Sequence, residues 1–66
     1  MNEAELAVLH RLSELLYSSK SSLSSEKHYP SRTSDASDDY IARMKIRVEK
    51  LAEVRAELED LFTERG

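Results

Sequence analysis

Between Ile41 and Phe62, apolar side chains recur in steps of three and four: Ile41, Met44, Val48, Leu51, Leu58 and Phe62, with Arg55 standing on the same line. That spacing keeps all seven on one face of an α-helix, whereas a strand would scatter them over both faces. A flanking line of Tyr40, Arg47, Val54 and Leu61 runs one residue ahead of it. Together the two lines are wider than the seam of a two-stranded coiled coil. A stripe of that width suits a bundle, in which each helix touches two or more neighbours. The opposite face carries Arg43, Lys50, Glu53, Glu57, Asp60 and Glu64, with Ile46 as its apolar exception.

The ends of this helix are marked. Ser34 is a good N-cap, with Thr33 and Ser37 as alternatives, and Asp35, Asp38 and Asp39 follow where the helix dipole favours negative charge. Arg65 and Gly66 suit the other end. The reading is a helix over residues 35–64.

A shorter helix is expected first, over residues 3–19. Asn2 and Glu5 have the spacing of a capping box, in which each side chain satisfies a free backbone N–H. Leu6, Val8, Leu9, Leu12, Leu15, Leu16 and Tyr17 follow, mostly on one face. Then the composition changes: nine of the twenty residues from Ser18 to Ser37 are serine, and Pro30 pushes Tyr29 out of helical geometry. Serine hydroxyls compete for backbone hydrogen bonds and favour caps and turns. Residues 20–34 therefore read as a loop, although Leu23 would extend the first helix along the same seam. Outside that tract turn-forming residues are scarce, with one glycine and one proline in the chain, and a sheet needs many turns.

The expected fold is thus all-α: a single-domain antiparallel hairpin of two helices, the second longer. At 1.5 Å per residue the second helix would reach ~45 Å and the first ~25–30 Å. Val54, Leu58, Leu61 and Phe62 would then overhang. Left in water, each forfeits about 1.5–3 kcal/mol. The chain has 66 residues and no cysteine, so neither disulfides nor thiolate-bound metal can compensate for a small core. Association with other protein is the remaining route. A two-fold dimer closing into a four-helix bundle is the simplest form of it. Charge suggests its orientation. Arg43, Lys45, Arg47 and Lys50 make one half of the second helix basic; Glu53, Glu57, Glu59, Asp60 and Glu64 make the other acidic. Antiparallel copies pair unlike halves.

Net charge is −3, which argues against a general affinity for nucleic acid. No apolar run approaches the ~20 residues that span a bilayer. The start, Met1-Asn2-Glu3-Ala4-Glu5, is acidic where a secretory leader is basic, so a cytoplasmic location is expected.

Candidate chemistry is sparse, and no catalytic, cofactor or metal site is expected. His10 and Glu14 share a helix face, but a metal site needs three or four converging ligands. His28, Tyr29, Asp35, Asp38 and Asp39 lack the glycine of a calcium loop. The serine tract offers phosphorylation targets, but it holds no specific kinase pattern and the plain reading is a solvated linker. Arg47 and Arg55 could hold an anion between helices; alternatively their stems cover the core edge while the guanidinium groups reach water or a carboxylate.

The expected role is a non-catalytic adaptor, chaperone or regulator. It would dimerise and hold a partner protein through Tyr40, Ile41, Met44, Val48, Leu51, Val54, Arg55, Leu58, Leu61 and Phe62. The alternative is a nucleic-acid-binding bundle with Arg43, Lys45, Arg47 and Lys50 as its phosphate-facing patch, which salt-sensitive retention on heparin would reveal.

Overall fold

The computed structural model of the chain describes residues 1–65. Gly66, expected to help close the second helix, lies outside them. Two helices, α1 (Glu3–His28) and α2 (Ser34–Arg65), pack against each other, and no strand occurs among the described residues. The pair forms a rod 48 Å long and only 15 by 13 Å across. Among the described residues no helix is long and apolar enough to cross a membrane.

α1 begins as its sequence dictates. The Asn2 side chain accepts from the Glu5 backbone N–H at 2.9 Å, and the Glu5 carboxylate accepts from the Asn2 N–H at 3.0 Å. Two of the helix's orphan donors are satisfied reciprocally. Thr33 occupies the N-cap place of α2, its carbonyl accepting from the Ser37 N–H at 2.8 Å. Ser34, the expected cap, is already helical.

The expected end of the first helix at residue 19 is wrong. The helix continues through the serine tract to His28, and the loop expected over 20–34 shrinks to residues 29–33. Serine costs a helix only a few tenths of a kcal/mol per residue relative to good formers. Here the tract carries a hidden repeat. Glu5, Leu9, Leu12, Leu16, Ser19, Leu23 and Glu26 follow one another in steps of four and three, and all seven are buried or half-buried. Tertiary packing along this line outweighs the local preference for turns. Lys27 and His28 in the last turn suit the dipole there, His28 Nδ1 lies 2.8 Å from the Ser24 carbonyl, and the Tyr29 N–H donates to Ser25 O at 2.7 Å.

On α2, Ile41, Met44, Val48, Leu51, Arg55, Leu58 and Phe62 are all half-buried, so the line read from the sequence is the seam facing α1. Hydrogen bonds from Arg55 to Ser13 at one level and from Ser37 to Glu26 at another fix the helices antiparallel.

The longer α1 also corrects the overhang. With 26 and 32 residues the helices span ~39 and ~48 Å. Leu58 and Phe62 lie against α1, not beyond it. Val54 and Leu61 are exposed because they sit beside the seam. The shortage of cover is therefore lateral. Among the described residues, two narrow seams bury one apolar side chain fully, Leu9, at 5 % exposure.

Candidate interaction face

Each seam has two flanks, and they differ. Val8, Leu15 and Ser22 lie along one flank of α1, and Tyr40, Arg47, Val54 and Leu61 lie along the flank of α2 on the same side. The Arg55–Ser13 hydrogen bond places Val54 between the levels of Val8 and Leu15 on that flank. A shallow groove on this side is lined by Ala7, Val8, Arg11, Leu12, Val54 and Leu58. Val8, Val54 and Leu61 are 44, 43 and 52 % exposed. The other flank carries Leu6, Ser13, Lys20 and Lys27 from α1 and Lys45, Ala52 and Glu59 from α2. Leu6 is the large apolar residue among these. Val8, Val54 and Leu61 thus gather on one side, toward the open end of the hairpin. Ile46 is exposed alone on the outer face of α2, as single surface apolar residues commonly are, whereas Tyr17 and Tyr29 line a second groove toward the closed end with Lys20, Ser24 and His28.

The residues expected at an interface divide accordingly. Ile41, Met44, Val48, Leu51, Leu58 and Phe62 are spent largely on the contact with α1. Tyr40 is half-buried, with the Arg32 guanidinium stacked 3.9 Å from its ring centroid. Val54 and Leu61 remain open to a partner. Arg55 lays its stem in the seam. Its Nε donates to Ser13 Oγ at 2.7 Å and its Nη1 pairs with Glu59 Oε2, also at 2.7 Å. A carboxylate on its own helix thus holds the guanidinium.

Of the four basic residues of 43–50, Arg43, Arg47 and Lys50 share one side of α2. Arg43 pairs with Asp39 at 3.0 Å and Lys50 with Glu53 at 3.3 Å. Lys45 lies on the opposite flank from Arg47, and neither makes an ion pair among the described residues. His10 contacts Glu14 at 3.3 Å on the exposed surface. No cluster of three or more potential metal ligands occurs among the described residues. His28, Asp35 and Asp39 have separate roles. His28 serves the end of α1, Asp35 the first turn of α2, and Asp39 its pair with Arg43.

Sequence reasoning misses Glu26, which organises the closed end of the hairpin. Its carboxylate is 4 % exposed. It accepts from the Ser31 N–H at 3.2 Å, Ser31 Oγ at 3.1 Å, Arg32 Nη1 at 2.7 Å and Ser37 Oγ at 2.9 Å. Burial opposes its charge. The hydrogen bonds from Ser37 and Ser31, with the Arg32 charge, outweigh that and hold the carboxyl below its ordinary value. The signal that could reveal it is its place seven residues beyond Ser19 on the Leu9–Leu12–Leu16 repeat. A carboxylate and serines on a core line must find partners, and the turn supplies them.

No family model, curated protein or solved structure matches the chain.

Proposed function

We propose that the chain is a non-catalytic protein–protein interaction module of the adaptor, chaperone or regulator kind. Association of two hairpins into a four-helix bundle and capture of a partner helix would both draw on the apolar flank of α2. It would act in the cytoplasm. The observation that carries this reading is the surface left over. A compact monomer of 7.6 kDa should expose about 4,300 Å² by the usual scaling of area with mass. This chain exposes 5019 Å². The excess, roughly 700 Å², approaches the ~800 Å² that each partner contributes to a standard protein interface. Val8, Val54 and Leu61 gather on one flank, and one buried apolar side chain is a small core for two helices of this length.

Sedimentation equilibrium, combined with melting curves over a hundredfold range of concentration, tests the proposal. A dimer whose melting temperature rises with concentration is expected. A monomer at high micromolar concentration with a concentration-independent melting temperature would refute it.

A further inference from the structure

Resting on that self-association reading, we infer that the second copy docks on the Val8–Leu15–Val54–Leu61 flank with α2 lying antiparallel along α2, Val54 near the two-fold axis and the two hairpin tips at opposite ends. The groove alone would not choose its occupant. The charges along its rim do. Outward from the exposed flank of α2 stand Arg43, Lys50, Glu57 and Glu64, seven residues apart and all exposed. Their order is basic, basic, acidic, acidic. Such a column complements a copy of itself only when that copy is reversed. A parallel in-register copy would set like on like. The midpoint of the column falls beside Val54. A reversed copy centred there places Arg43 and Lys50 of each chain among Glu64 and Glu57 of the other, with Val54 meeting its own counterpart. The α1 helices then meet along Val8 and Leu15, between whose levels Val54 lies. The stems of Arg47 and Lys50 lie over Leu61 of the other copy, as long cationic side chains cover apolar surface elsewhere.

The other flank also carries lysines toward the closed end, Lys20, Lys27 and Lys45, and Glu59 toward the open end, so charge sets the direction and the apolar side chains choose the face. Its exposed apolar groups, Leu6 and Tyr17, stand apart, with no apolar counterpart at Lys45, Ala52 or Glu59 of α2. Each exposed pair is worth a few tenths of a kcal/mol, so the column sets direction while the apolar flank holds the copies together.

The chain has no cysteine, which permits single-cysteine cross-linking. Val54→Cys should form a disulfide-linked dimer under mild oxidation, because residues at a two-fold axis approach within the ~7 Å that a disulfide allows. Tyr29→Cys, at the exposed hairpin tip, should not. In a second arm, Arg43→Glu/Lys50→Glu and Glu57→Lys/Glu64→Lys should each weaken self-association roughly tenfold or more at low salt, and an equal mixture should form the heterodimer. Helix content by circular dichroism confirms that each variant is folded. Cross-linking at Tyr29→Cys but not at Val54→Cys would overturn the orientation. A wild-type dimer that survives both charge reversals unchanged, or that links at neither cysteine, would overturn the assigned face while leaving self-association standing. A wild-type monomer would instead remove the reading on which the inference rests.

Discussion

Leu9→Ala tests where the core lies. Leu9 is the one apolar side chain among the described residues that the hairpin buries fully, at 5 % exposure, while Leu6, three residues earlier, is 53 % exposed on the opposite flank from the docking groove. Leu→Ala in a protein core costs about 2–5 kcal/mol, the upper part reflecting a cavity that cannot collapse. Two helices with open sides can close or admit water around the gap, so the lower part of that range applies, about 2–3 kcal/mol per chain. A core of this size rarely supplies more than about 3–5 kcal/mol. Loss of Leu9 should therefore remove most of the stability of a hairpin, and a dimer loses it twice. Leu6→Ala should cost less than about 1 kcal/mol, since its side chain is half in water already. Urea unfolding followed by far-ultraviolet circular dichroism measures both, at matched concentration so that association does not confuse the comparison. Equal costs at the two positions would refute the seam assignment, because burial is the one respect in which these leucines are claimed to differ.

Three further outcomes follow from the same contacts. Asn2→Ala should lower stability by about 1 kcal/mol through loss of the capping box, read as a lower urea midpoint; no change would mean that the first turn is frayed in solution. Glu26 is held below its ordinary value of 4.5, so the folded state binds fewer protons than the unfolded chain. The stability it contributes is present above about pH 4.5 and is lost as pH falls through the lower folded value. Glu26→Gln should flatten that acid limb of the melting-temperature profile, and an unchanged limb would refute the assignment. Arg55→Leu should leave stability unchanged or raise it, since an apolar residue continues the seam and frees a charge to stay in water. A thermal scan showing a loss above about 1 kcal/mol would mean that the bond to Ser13 outweighs both effects.

The two helices are unequally legible in the sequence, for physical reasons. α2 announces itself because six of the seven residues on its seam are apolar, so periodicity and composition agree. In α1 they part company. Ser19 and Glu26 hold core-line places with polar side chains, so beyond Leu16 a reading that follows hydrophobicity finds Leu23 alone. One apolar residue in a serine tract is a weak signal. Arg55 reads from the sequence as a long stem at the core edge reaching a carboxylate, and it does reach Glu59. That partner is legible because Glu59 is one turn away on the same helix. The Glu26 cluster is not, since it gathers Ser31, Arg32 and Ser37 around a turn whose path depends on where α1 ends. The interaction face is half visible: Val54 and Leu61 stand out as a flanking line, but their alignment with Val8 and Leu15 depends on the register between helices.

That register is itself a puzzle that the polar core residues answer. An apolar heptad seam tolerates sliding by seven residues, because each leucine meets another apolar side chain after the shift. This hairpin carries groups that do not tolerate it. Displaced by one heptad, Glu26 would leave Ser37 and the turn residues and lie buried against apolar side chains, a charge without its donors. Arg55 would lose Ser13, though Glu59 would move with it. The penalty for the wrong alignment falls at the closed end, whereas the exposed apolar surface lies toward the open end. A docking face composed of two helices requires such a division. Val54 can stand between Val8 and Leu15 in every copy only if something else fixes the alignment. A variant in which Glu26, Ser31 and Ser37 are made apolar should therefore melt higher yet associate heterogeneously, and homogeneous dimers of unchanged affinity would show that the seam needs no polar guide.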